Sequence, residues 1–330
     1  MKRVLSVRTE SWPSKIPFRI SGHVWTEFEL IVCELKENGR VGRGEASGVF
    51  YFDETPATMK AQIARVAAEV EAGATREQLR SLLPPGGARC ALDLALWDLE
   101  AQAAHTSAWK MAGVPAGPVT TVFTIGLEDT PDQMAQKAAE ARDRPLLKIK
   151  LSNDKPVERV RAIRNARPDA KLVVDCNGGW SFAELKRWAP ELAKLDLALL
   201  EQPLARGKDA ELEHYDAPLP LFADESCLHL GELGDAARRY DGIVIKLDKT
   251  GGLTEALMLA RGAKEAGLRL MVGCMVATSL SMAPSHVLAQ LCEFVDIDGP
   301  LLLKEDHPDG LRYEGSKVTP PSKGFWGGAA

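Results

Sequence analysis

The stretch "PLLKIKL", residues 145–151, carries two lysines inside an aliphatic run. Lys148 and Lys150 are separated by one residue, so on a β-strand both side chains leave the same face, about 7 Å apart. Two ammonium groups that close repel each other. An aliphatic strand keeps them on one face only if something on that face needs them. After this run comes "PVERVRAIRNA", with apolar residues at helical spacing, and then a second β-rich run, "KLVVDCN" (171–177). Strand, helix, strand is the repeating unit of a parallel sheet.

The same alternation extends in both directions. Strand candidates are "TVFTIGL" (121–127), "LLKIKL", "KLVVDCN", "LALLEQP" (197–203), "PLFADES" (220–226), "GIVIKLD" (242–248), "LRLMVGC" (268–274) and "EFVDID" (293–298). Eight such strands close a barrel. Lys150, Asp175, Glu201, Asp224 and Lys246 each sit at or near the C-terminal end of an apolar run, at separations of 25, 26, 23 and 22 residues. Each step is one βα unit, so the five charges meet at the C-terminal rim, where barrels of this kind carry their active sites.

Residues 1–119 read differently. "FELIVCELKENGRVGRGEA" predicts an antiparallel hairpin turning at Asn38-Gly39. "ARCALDLALWDLEAQAA" (88–104) predicts an amphipathic helix, and the Gly- and Pro-rich tail "PPSKGFWGGAA" is expected to pack back on the N-terminal part. The expected architecture is α/β: an α+β cap over 1–119, a barrel over 120–303 and a returning segment over 304–330.

Composition excludes several classes. The 330 residues are 45% hydrophobic and 26% charged, with a net charge of −5, which argues against a nucleic-acid partner. No apolar run reaches the roughly 18 residues of a membrane span. "MKRVLSVRTESWP" lacks the apolar core of a signal peptide. The six cysteines (33, 90, 176, 227, 274 and 292) have no C-x-x-C spacing, which implies reduced thiols in a cytoplasmic setting. The sequence leaves homo-oligomerisation open.

Three carboxylates at consecutive strand ends suit a hard cation, Mg²⁺, better than three separate salt bridges. Lys150 and Lys246 flank them from strands on opposite sides of the mouth. A cationic neighbour and a metal both lower a lysine pKa, so Lys148 is expected either to make Lys150 a usable base or to meet a substrate carboxylate. Two opposed bases beside a metal suit removal of a proton α to a carboxylate. Proton return to the other face inverts the centre, whereas a β leaving group gives elimination.

With these residues in place, the chain resembles the enolase superfamily, in its muconate-lactonizing subgroup, over nearly its whole length. The matching motifs are "GRVGRGEA", "ALDLALWDLEAQ", "KIK", "DCNGGW", "EQP", "ADES" and "IKLDKTGG". The resemblance implies a (β/α)₇β barrel and one Mg²⁺ on Asp175, Glu201 and Asp224, with no organic cofactor. It also implies Lys150 and Lys246 as the acid/base pair, with Asn177, Glu225 and Asp248 in support. "DIDGP" puts Asp296 and Asp298 at period two on the last strand, similar to the D-x-D that binds the substrate ammonium in dipeptide epimerases; the bland alternative is a pair of loop-capping aspartates. Thr124, Cys274 and Met275 are the remaining expected pocket contacts in the barrel. Where alanine-glutamate epimerases supply an arginine from a cap loop, this chain reads "PFRISGHVW". Either Arg19 takes that part or the second residue of the substrate is not glutamate.

The expected activity is epimerisation of a dipeptide. A lyase, a cycloisomerase or an N-acylamino acid racemase of the same subgroup is the alternative, and Asp296 with Asp298 is the discriminating feature. A catalytically silent barrel would have no need of two opposed bases. "GRVGRGEASG" only approximates a dinucleotide fingerprint and lies in a hairpin. The histidines have no metal-ligand spacing, and Trp97 and Trp109 are expected in packing.

Overall fold

The computed structural model describes residues 3–20 and 23–328, and of Arg19, Ile20 and His23 the backbone alone. An antiparallel meander comes first, β1 (Val4–Ile20), β2 (His23–Glu37) and β3 (Arg40–Ala46). Its β2–β3 turn is Asn38-Gly39, both at positive φ (50° and 78°). That is the two-residue turn whose twist matches the strands it joins, so the hairpin forms where expected. Helices α1 (Pro56–Glu71), α2 (Arg76–Leu82), α3 (Gly87–Ala103) and α4 (Ala108–Ala112) follow.

The structure corrects one expectation about α3. It is buried on almost every side rather than amphipathic, because it lies between the meander and the barrel. Contact with β3 is backbone to backbone: a Cβ on Gly42 would stand 2.2 Å from Ala95 O, and one on Gly44 2.1 Å from Ala91 O. On its other side Arg89 donates to Thr250 O (2.5 Å) and Glu255 Oε2 (2.6 Å), Asp93 accepts from Thr254 N (3.0 Å) and Trp97 Nε1 donates to Thr254 Oγ1 (2.9 Å). Buried charges this well partnered hold one orientation.

The eight predicted strands are all present in one parallel sheet, in sequence order. After the short β4 (Val119–Thr120) they are β5 (Phe123–Ile125), β6 (Leu146–Lys150), β7 (Lys171–Asp175), β8 (Leu197–Glu201), β9 (Leu221–Ala223), β10 (Gly242–Ile245), β11 (Arg269–Val272) and β12 (Phe294–Val295). Val122 N donates to Val295 O at 2.8 Å, which ties the first edge of the sheet to the last. Six crossovers are α-helical, through α5 (Pro131–Glu140), α6 (Pro156–Ala166), α7 (Phe182–Ala193), α8 (Leu233–Arg239), α9 (Leu247–Thr250) with α10 (Leu253–Glu265), and α11 (Ser279–Ala289). Between β8 and β9 the crossover holds only a 3₁₀ turn, Ala210–His214. Seven crossovers and eight strands make the (β/α)₇β barrel. Its lower interior is filled by Val122, Val173, Leu199, Phe222, Val244, Met271 and Phe294.

Beyond β12 a single turn, α12 (Gly299–Leu302), leads to the hairpin β13 (Arg312–Glu314) and β14 (Lys317–Thr319), which pairs with β4. The tail then returns to the cap: Trp326 Nε1 donates to Arg43 O on β3 at 2.9 Å, and Gly327 N to Asp98 Oδ1 on α3 at 2.8 Å.

Candidate active site

Register sets the height of every charged group. Lys150 is level with Asp175, and Asp175 with Glu201, across three adjacent strands. Asp224 and Lys246 each follow immediately after β9 and β10. In an eight-stranded ring β6 and β10 are four strands apart, so Lys150 and Lys246 approach from opposite sides. Asp175, Glu201 and Asp224 are fully buried beneath them.

The ammonium groups contact the acids directly. Lys150 Nζ donates to Asp175 Oδ2 at 2.6 Å and Lys246 Nζ to Asp224 Oδ2 at 2.7 Å. Burial alone would raise both aspartates, yet Lys150 and Lys148 hold Asp175, and Lys246 and Lys249 hold Asp224, below the ordinary carboxylate range. Glu201 goes the other way: burial, with the charge of Asp175, pushes it up to about 8. Its Oε2 takes no well-directed hydrogen bond, although Lys148 Nζ lies 2.8 Å away.

Lys148 answers the question its sequence raises differently from expectation. It is 2% exposed and reaches Asp296 Oδ2 (2.8 Å), Glu201 Oε1 (3.0 Å) and Asp175 Oδ2 (3.2 Å). Burial pulls its pKa down, but Asp296, Glu201 and Asp175 outweigh that and keep it well above the usual lysine value. Lys148 and Lys150 thus tolerate one face because they share a carboxylate oxygen. The charge of Lys148 is committed to neutralising acids, and that leaves it poorly placed to serve as a spare cation for a substrate carboxylate.

Asp298 is the N-cap residue of α12, yet its side chain makes no capping bond; Oδ2 instead accepts from Thr124 N at 2.9 Å, across the seam of the barrel. Burial and the charge of Asp296 push Asp298 up to about 7. Asp296, Asp298 and Cys274 bring one ligand atom each within 4.8 Å of one another. Thr124, Cys274 and Met275 line the same cavity as both lysines.

The supporting residues divide. Asn177, at φ 44°, bridges Lys150 Nζ and Glu225 Oε1 at 3.3 Å each. Asp248 lies behind the site: its Oδ1 accepts from Ser47 N and Gly48 N, both at 2.9 Å, and so anchors the cap loop that closes the cavity. The Arg19 side chain lies outside the described residues. Sequence reading missed Lys249, whose Nζ donates to Asp224 Oδ1 (2.5 Å) and Val244 O (3.0 Å); its place three residues after Lys246 in "IKLDKTGG" was the available signal. It also missed Tyr51, whose buried hydroxyl has no hydrogen-bond partner and feels the charges of Asp224 and Lys246. Aromatic residues in a loop carry no comparable signal.

Lys148, Lys150, Lys246, Asn177, Glu225, Asp296 and Asp298 line one cavity of about 340 Å³, floored by the barrel and roofed by the cap, within the usual range for a small-molecule site. Asp175, Glu201 and Asp224 are fully buried behind that lining. Two family descriptions match the chain: mandelate racemase/muconate lactonizing enzyme, N-terminal domain, over residues 2–113, and enolase C-terminal domain-like, over residues 133–325. The chain belongs to the mandelate racemase/muconate lactonizing enzyme family. Within that family it is 42% identical to the L-Ala-D/L-Glu epimerase of Escherichia coli K12 over 94% of this chain and 98% of the relative. It is 36% identical to the N-acetyl-D-glutamate racemase of a Pseudoalteromonas species, over 91% and 96%. An Agrobacterium tumefaciens enolase family member with homology to dipeptide epimerases, solved with sodium and L-Ala-L-Glu, superposes with a TM-score of 0.95 at 43% identity, covering 98% of this chain and 100% of that one. The Enterococcus faecalis V583 dipeptide epimerase, solved with Mg and L-Leu-L-Tyr, gives 0.90 at 28% identity, with 98% of each chain covered.

Proposed function

We propose that this family member is a Mg²⁺-dependent epimerase that inverts the α-carbon of the C-terminal residue of a dipeptide. The observation that carries the reading is that Lys150 and Lys246 enter one cavity from strands four apart, with Asp296 and Asp298 on a third side.

Asp175, Glu201 and Asp224 would hold the metal. They fit it: all are hard oxygen donors without exposure, and Glu201 offers a buried oxygen with no well-directed donor. Mg²⁺ bound there would neutralise the charge that builds on the substrate carboxylate as the α-proton leaves. In one direction neutral Lys150 takes the proton from Cα, breaking that C–H bond. The Lys246 ammonium then delivers a proton to the opposite face, forming the new C–H bond and becoming neutral. The reverse direction exchanges the two roles. Asp298 with Asp296 receives the free ammonium of the first residue, and Thr124 holds Asp298 in place.

The cap (1–119), barrel (120–303) and returning segment (304–330) divide the work in this proposal: the barrel holds the reacting atoms and the cap shuts out water. A reducing, cytoplasmic setting accords with six free thiols.

A second reading, racemisation of an N-acylamino acid, has one observation in its favour: Asp296 is already paired with Lys148, so an ammonium is not the only way to balance that wall. Incubation of the protein with dipeptides and their N-acetylated forms in D₂O and Mg²⁺, read as a gain of one mass unit, separates the two. Exchange confined to free dipeptides supports the first reading. Equal exchange of the N-acetyl compounds replaces it with the second, and no exchange in either series removes both.

A further inference from the structure

We infer that the cap provides an aromatic roof that receives the side chain of the epimerised residue and selects a large apolar or aromatic side chain over an acidic one. This inference rests on the dipeptide reading above.

Three separate cap segments build that roof. Phe18 comes from β1, Trp25 and Phe28 from β2, and Phe50 and Tyr51 from the loop that Asp248 anchors. Their rings form a continuous set: Phe18 to Trp25 6.2 Å, Trp25 to Phe28 6.2 Å, Trp25 to Phe50 5.2 Å and Phe50 to Tyr51 5.1 Å. Aromatic pairs prefer these separations in offset or edge-to-face geometry, so a further ring or a branched alkyl chain extends a packing pattern already present.

Charge points the same way. The lysines on the cavity wall, Lys148, Lys150 and Lys246, belong to the barrel, and each is paired with an acid. Among the described residues the cap adds no Lys or Arg to that wall; it adds Glu27, Glu29 and Glu54. A carboxylate moved from water into this roof loses hydration without a described cap cation to replace it. Glu27 and Glu29 are exposed, so their charges are screened and hold an entering cation only weakly. Ring burial therefore outweighs both charge effects. The backbone of Arg19 pairs with Val24, next to the Phe18–Trp25 pair, so the test includes that position.

The experiment uses the full chain with Mg²⁺ in D₂O and four substrates: L-Ala-L-Phe, L-Ala-L-Leu, L-Ala-L-Glu and L-Ala-L-Lys. The expected kcat/KM for α-proton exchange is at least about tenfold higher for the Phe and Leu dipeptides than for Glu or Lys. Trp25→Ala should lower the kcat/KM ratio of L-Ala-L-Phe to L-Ala-L-Ala by about tenfold, and Arg19→Met should leave the substrate order as it was. A preference for Glu or Lys, a Trp25→Ala ratio equal to wild type, or an Arg19→Met variant with a new order overturns the inference. Quenching of tryptophan fluorescence reports binding without turnover. If no dipeptide exchanges but L-Ala-L-Phe binds more tightly than L-Ala-L-Glu, the epimerase reading fails and the roof stands. If L-Ala-L-Glu binds as tightly, the roof fails.

Discussion

The floor and the roof of the cavity are built on opposite principles. The floor is a lattice of paired charges: Lys148 alone touches three acids, and Asp224 is held by both Lys246 and Lys249. Apart from Lys249 on α9, its side chains stand on barrel strands or directly after them, where strand register sets their height. The roof consists mainly of aromatic rings on a hairpin and a loop, attached through a few backbone contacts such as those of Asp248 and Glu54. In a low-dielectric site, chemistry needs charges that do not move. Selection among side chains needs only shape and burial, which a loop can supply and exchange. Damage to the floor should therefore lower kcat, and damage to the roof should alter KM and substrate order.

That contrast can be tested from its strongest side. Glu201→Gln removes one charge from the proposed metal set without changing its shape, and should lower kcat by roughly 10³-fold, the equivalent of several kcal/mol of transition-state stabilisation. Full activity in that variant, or in the presence of excess chelator, would remove the metal from the floor. Lys150→Ala and Lys246→Ala should each lose about 10²–10⁴-fold. Deuterium exchange should fall most from one enantiomeric centre in the first variant and from the other in the second. Equal residual exchange from both centres in each variant would contradict two opposed bases.

Asp298 lies where floor and roof meet, and its effect should be intermediate. Asp298→Asn should reduce kcat/KM for a free dipeptide by about 10²-fold, because a desolvated ammonium loses its partner. The sign of the pH effect follows from the shift. Folding raises this carboxyl to about 7, so below that pH it is neutral and cannot pair with the ammonium, and wild-type kcat/KM should climb as pH rises through about 7. In Asp298→Asn that climb should vanish; a retained climb assigns it to another group. The smallest effect is expected behind the roof. Asp248→Ala frees Ser47 N and Gly48 N and should raise KM by roughly tenfold with kcat little changed. If kcat collapses instead, the loop belongs with the floor.

The eight strands, the Asn38-Gly39 hairpin and the five charges at strand ends were legible because each obeys a local period. Apolar runs recur with the βα unit, and a polar residue at the end of such a run marks the rim. α3 was misjudged for a related reason: its periodicity records where apolar residues fall, while its burial on both faces depends on two partners, Gly42–Gly44 on one side and Thr254 on the other. Lys249 escaped notice because one turn of α9 folds it back under Asp224. Tyr51 and its aromatic neighbours were beyond reach, since nothing in "SGVFYFDET" states which cavity that loop will cover.

By itself, then, the chain of residues determined the barrel, the order of its strands and the residue types at its mouth, because hydrophobic alternation and turn chemistry act over a few residues at a time. Only the tertiary structure decided which charges neutralise which, where the charge of Lys148 is committed, and which rings close over the site. Those depend on groups as far apart as residues 18 and 298, and their contacts exist only once the sheet has closed and the cap has docked.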